Sequence, residues 1–161
     1  AEIRPDAYIV SDPGVMDIIK EAIPDAELHL STQASTVNSA SIGFWSRYGV
    51  KRVVLARELS LDEIKRIRDD IPDDLELEAF VHGSMCVSYS GRCMLSNLMV
   101  DRDANRGRCA QPCRLPFGAP YGTGHDLSLK DLSLVDYIRE MAEMGVCSFK
   151  IEGRFKSLLG Y

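Results

Sequence analysis

Short apolar strands recur roughly every 20–25 residues along this chain, and each of the first three is followed by a segment of helical periodicity. Nothing else in the sequence narrows the fold as far. Strands that alternate with helices become parallel neighbours through right-handed crossovers, so the expected class is α/β with a parallel sheet. The run DAYIV (6–10) leads into the turn SDPG, then Val15, Ile18, Ile19 and Ala22 follow at helical spacing until Pro24 stops the helix. ELHLSTQA (27–34) reads as a second strand. A helix over 39–48 carries Ile42, Phe44, Trp45 and Tyr48 and ends at Gly49, before the β-branched strand RVVLA (52–56). Ser60 caps a third helix bearing Leu61, Ile64, Ile67 and Ile71, with Asp62 and Glu63 in its first turn. LELEAFV (75–81) is the fourth strand. A long interruption, 83–128, separates it from a helix expected over 132–144 and a last strand, CSFKIE (147–152). Five parallel strands form either a small open sheet or part of a barrel, since a complete (βα)8 barrel takes about 200 residues or more. The 161 residues suit a single domain, 1–161, with the cysteine-rich segment inserted after the fourth strand.

In parallel α/β folds, ligands sit at the C-terminal ends of the strands. Those ends are polar throughout: Ser11 and Asp12; Ser31, Gln33 and Asn38; Arg57 and Glu58; His82; Glu152 and Arg154. Asp12, Gln33, Asn38 and Arg57 are therefore candidate pocket residues, and His82, Glu58, Glu152 and Arg154 candidate catalytic groups. The competing reading is that such residues only cap the next helix. His82 is either a metal ligand, a base or a substrate donor, or a histidine bonded to a backbone carbonyl. His29 reads as structural, and His125 as a solvent-facing loop residue.

Cys86, Cys93, Cys109 and Cys113 lie within 28 residues, all in the inserted segment. Gly91 and Gly107 each precede a cysteine by two residues and permit the tight backbone approaches that convergence on one point requires. Cys109 and Cys113 have the close spacing of zinc ligands; Cys86 and Cys93, seven apart, do not, and iron–sulfur ligands tolerate more varied spacing. The pattern leans toward an iron–sulfur centre, with zinc, a redox disulfide system and unliganded thiols as alternatives. Cys147, at the start of the last strand, reads as a small buried hydrophobe. The segment is also basic: Arg92, Arg102, Arg106, Arg108 and Arg114 outnumber Asp101 and Asp103. In a chain of net charge −5, which argues against indiscriminate polyanion binding, this local patch is a candidate RNA-backbone site or a counterweight to thiolates. The bland alternative is a solvated loop with surface ion pairs.

The sequence has no H-E-x-x-H, G-x-S-x-G or P-loop motif, and no 18-residue apolar run for a membrane span. It opens without the basic and apolar regions of an export signal, so the reducing cytoplasm is the expected compartment.

The motifs together resemble a known family. EAFVHGSMCVSYSGRCMLS (78–96) is similar to the signature of the collagenase-like peptidases, a family whose peptidase mechanism is unassigned. GRCAQPCR, SLKDLS and KIEGRFKS resemble three further blocks of that family in the same order, and IVSDPG, HLSTQAS and ARELSLDEI resemble its middle strands. The likeness looks closest to the branch linked to 5-hydroxyuridine formation at the tRNA wobble position. The resemblance implies a (βα)8 TIM-like barrel of which this chain is the second half, closing by dimerising or by pairing with a related protein. It implies a 4Fe–4S cluster on Cys86, Cys93, Cys109 and Cys113, with tRNA or another RNA held by Arg102, Arg106, Arg108 and Arg114. The loop between Cys113 and Lys130 is shorter than in many relatives. Three readings stand at this point: an RNA hydroxylation protein, a peptidase with zinc bound by Cys86 or Cys93 together with His82, and a metal-stabilised interaction domain.

Overall fold

The computed structural model describes residues 4–153. It is an α/β fold whose order is β1 (Tyr8–Val10), α1 (Pro13–Ala22), β2 (Leu28–Leu30), α2 (Ser39–Tyr48), β3 (Val50–Val54), α3 (Leu61–Asp70) and β4 (Glu76–Gly83). Then come α4 (Leu95–Val100), a hairpin of β5 (Phe117–Ala119) and β6 (Gly122–Gly124), β7 (Leu132–Ser133), α5 (Ile138–Glu143) and β8 (Val146–Ile151). Strands β1, β2, β3, β4 and β8 are parallel neighbours in that spatial order.

The first three helices begin where local chemistry dictates. The Asp12 carboxylate accepts from the Val15 N–H at 3.0 Å, with Pro13 following it at the first helical position. Asn38 caps α2 through the Ser41 N–H at 2.8 Å. Ser60 and Glu63 form a reciprocal capping box on α3.

Alternation along the strands separates two faces. Leu28 and Leu30, Val53 and Leu55, and Leu77, Ala79 and Val81 pack with Met16, Ile42, Ile64, Ile67 and Met141 from the helices in one core. The other face carries His29, Arg52, Glu78, Phe80, Ser148 and Lys150, as the register Arg52↔Glu76, Glu78↔Ser148 and Phe80↔Lys150 requires.

Several expectations are corrected. The second strand stops at Leu30, because Ser31 accepts from the Gln33 N–H at 3.2 Å and caps a 3-10 turn over Thr32–Ala34. The helix expected over 132–144 is shorter. Leu132–Ser133 instead pairs antiparallel with His82 and Gly83, and a 3-10 turn over Val135–Tyr137 leads into α5. Cys147 is exposed rather than in the core. Cys147 is the residue passed over where the register shifts from Leu77↔Val146 to Glu78↔Ser148, and its Sγ donates to the Leu77 carbonyl at 3.4 Å.

Candidate functional site at the cysteine cavity

A cavity of about 390 Å3 lies at the C-terminal ends of the parallel strands, where the fold class places ligands. Cys86, Cys93, Cys109 and Cys113 all line it. So do Gln33 after β2, Arg57 after β3, and Glu152 after β8. All five cysteines of the chain are free thiols. Among the described residues no three Cys, His, Asp or Glu side chains are grouped around a single ion position. The four thiols surround a space rather than a point. The donor set is entirely sulfur from the insert, with the Gln111 N–H donating to the Cys109 Sγ at 3.3 Å. Burial pushes the Cys113 thiol above its ordinary pKa. The neighbouring Cys86 and Cys109 push it the same way, against the Arg114 guanidinium.

The segment that carries Cys86 and Cys93 is tied to the sheet at Ser90 and Gly91. Ser90 is 1% exposed. Its N–H donates to the Glu58 carboxylate at 2.6 Å, and its hydroxyl oxygen accepts from the Arg57 N–H and from Thr32, each at 3.3 Å. Gly91 has φ 72°, and a Cβ there would stand 2.0 Å from the Gln33 carbonyl oxygen. Only glycine permits that approach. Sequence reasoning missed Ser90, whose one visible signal is its place beside Gly91.

The structure brings some of the expected residues together and leaves others apart. Gln33, Arg57 and Glu152 share the cavity with the thiols. Arg57 pairs with Glu152 at 3.7 Å and lies over the Phe80 ring at 4.5 Å, while its Nε is buried with no hydrogen-bond partner among the described residues. Glu58 anchors the Ser90 loop. Asp12 and Asn38 cap α1 and α2 and do not line the cavity. His82 is exposed on β4, outside the cavity lining. Arg102, Arg106 and Arg108 are exposed, with Arg106 near Asp103 at 3.4 Å. Arg114 is spent internally: its guanidinium donates to the Met85 carbonyl at 2.7 Å, to Ser128 at 3.0 Å and to the Leu129 carbonyl. His29 is buried with its Nε2 2.8 Å from Glu27, and the His125 Nδ1 lies 3.1 Å from the Arg114 carbonyl. Arg154 falls outside the described residues.

Below the cavity, the polar face of the sheet holds a buried ion network. Glu78 is 6% exposed, and its carboxylate accepts from the Lys150 Nζ at 2.7 Å and the Ser148 hydroxyl at 2.8 Å. Arg52 stands 3.6 Å away and also pairs with Glu76. Burial alone raises the pKa of Glu78, but the Lys150 and Ser148 hydrogen bonds and the two cationic charges outweigh it and hold the group below the ordinary carboxylate value. No described helix is long and apolar enough to cross a membrane.

No solved structure matches the chain. Among curated proteins it is 37% identical to the tRNA hydroxylation protein P of Escherichia coli, over 97% of this chain and 46% of that protein. It is 41% identical to a 23S rRNA 5-hydroxycytidine synthase of the same organism, over 95% of this chain and 24% of the relative. To the protein named collagenase of Porphyromonas gingivalis it is 37% identical, over 92% of this chain and 39% of the relative. The chain thus spans less than half the length of the curated relatives it matches. The profile of peptidase family U32 aligns with residues 1–159, nearly the whole sequence, and the chain belongs to that family.

Proposed function

We propose that this chain is the cluster-bearing part of an RNA-hydroxylating enzyme that acts on tRNA. Its five parallel strands are the second half of a (βα)8 barrel, completed by the remainder of a longer polypeptide or by a partner chain. The observation that carries the reading is the placement of four thiols around one cavity at the strand ends, beside the exposed Arg102, Arg106 and Arg108. Cys86, Cys93, Cys109 and Cys113 hold a 4Fe–4S cluster. An all-thiol donor set around a cavity suits a multi-atom group better than a single zinc ion. Such a cluster supplies electron transfer at a potential set by its surroundings. The chain's own residues do the rest. The arginines hold the phosphate backbone, and Arg57, paired with Glu152 and braced on Phe80, offers a fixed cation at the cavity wall. Names of relatives that act on tRNA and rRNA support this reading over hydrolysis. The setting is the reducing cytoplasm, where the thiols stay available to iron.

The test is purification without oxygen, followed by a visible spectrum and determination of iron, sulfide and zinc. A brown protein with about four iron and four sulfide per chain is expected. A colourless protein with stoichiometric zinc after reconstitution with iron and sulfide overturns the cluster and returns the peptidase and interaction-domain readings.

A further inference from the structure

Tyr89 is a large aromatic side chain with 72% of its surface in solvent, yet it stands on a turn held by several hydrogen bonds. The turn closes with the Arg92 N–H donating to the Tyr89 carbonyl at 3.1 Å, and Gly91 occupies the left-handed region at its third position. Ser90, next to the tyrosine, is clamped by Glu58, Arg57 and Thr32. The Gly91 backbone presses on the Gln33 carbonyl, and the Gly91 carbonyl accepts from the Asn105 side chain at 3.3 Å. The phenol ring therefore has a fixed base and a free face. It also lines the cavity of the four cysteines, and the exposed Arg92 ends the same turn. Exposure alone would say nothing: Tyr121, at the tip of the β5–β6 hairpin, is fully exposed and does not line the cysteine cavity.

We propose that Tyr89 is the stacking platform for the target nucleobase, a single-stranded pyrimidine drawn out of its loop and held over the cavity. The inference rests on the RNA reading and adds to it the residue that positions the base. A base is presented to a cavity wall only when it is unstacked from its neighbours, and an aromatic face replaces the lost stacking. A ring carried on a fixed turn does so without the cost of ordering the backbone beneath it. The exposed Arg92, with Arg102, Arg106 and Arg108, supplies the backbone contacts, which carry affinity but do not place a base. Tyr89 is thus a positioning residue whose effect is confined to unpaired nucleotides.

The experiment uses the full chain with its cluster and a hairpin RNA whose loop carries pyrrolocytosine in place of one pyrimidine. A duplex RNA of equal length serves as control. With wild-type protein, binding should quench the analogue. Tyr89→Phe should keep both the quench and the affinity. Tyr89→Ala should abolish the quench and weaken hairpin binding by about 5- to 150-fold, the range of one base–aromatic stack, with duplex binding unchanged. Circular dichroism checks that the exposed-site variant is folded. If wild type binds the hairpin and Tyr89→Ala retains quench and affinity, the stacking role is wrong while the RNA reading survives. An equal loss on hairpin and duplex also overturns stacking. If wild type binds neither RNA at low salt, both proposals fall.

Discussion

Removing the Lys150 ammonium should destabilise the fold far more than a surface lysine does. Lys150 Nζ is 2.7 Å from the Glu78 carboxylate, in a site where the two side chains are 16% and 8% exposed. Lys150→Met keeps most of the aliphatic volume and deletes the charge. Among the described residues, Glu78 would then keep the Ser148 hydroxyl at 2.8 Å and Arg52 at 3.6 Å to compensate it. Breaking a buried pair from one side usually costs 3–5 kcal/mol; the two remaining partners put the expected loss near the lower end, about 3 kcal/mol. For a chain of this size that is a fall of about 6–12 °C in Tm. The double variant Glu78→Leu with Lys150→Met removes the stranded charge as well and should recover most of the loss. Urea unfolding of the four members of this cycle measures each value. The acid limb supplies an independent check. Glu78 has a folded pKa below its unfolded value, so its contribution is complete above about pH 4.3 and disappears as pH falls through the lower folded value. Glu78→Gln should flatten that limb. A Lys150→Met loss below about 1 kcal/mol, or a double variant as unstable as the summed singles, would refute the claim that the pair is buried and mutually dependent.

The remaining expectations concern the cysteine segment. Gly91→Ala places a Cβ 2.0 Å from the Gln33 carbonyl and forces a side chain into φ 72°, so the turn must shift and carry Cys93 with it. The left-handed strain alone is worth about 1–3 kcal/mol, and iron retained after anaerobic reconstitution should drop well below wild type. Replacing Arg102, Arg106 and Arg108 together with serine should leave the urea midpoint unchanged. It should also reduce the slope of log Kd against log salt for single-stranded RNA by about 2. An unchanged slope removes the basic segment from the RNA reading. In metal-free protein, Cys113 should alkylate more slowly at pH 8 than the exposed Cys86, because burial raises its pKa and depletes its thiolate. Mass spectrometry of timed iodoacetamide reactions resolves the two, and equal rates would show that Cys113 is not shielded.

How much of the fold was legible in the sequence differs from element to element. The span of α2 and the start of α3 were readable, because Gly49 and Ser60 act within one turn of the chain they delimit; Ile71, expected on α3, instead follows its end at Asp70 as the C-cap. The parallel sheet followed from the strand–helix rhythm, and the clustering of four cysteines was visible from spacing alone. Other outcomes depended on partners far away in sequence. Leu132–Ser133 was expected to begin a helix, yet the free end of β4 offers its backbone groups to these residues some 50 positions on. Cys147 is exposed, at the register shift between β8 and β4. The polar residues at the strand ends were alike on paper. Asp12 and Asn38 turned out to be local caps, whereas tertiary packing made an anchor of Glu58, an internal clamp of Arg114, and cavity walls of Gln33, Arg57 and Glu152. The Glu78–Lys150 pair spans 72 positions and carries no local signal. Chain-local hydrogen bonding and periodicity therefore determined the elements and their class. Which side chains meet, and so which residues build the site, was decided by register and packing between segments that only the tertiary fold brings into contact.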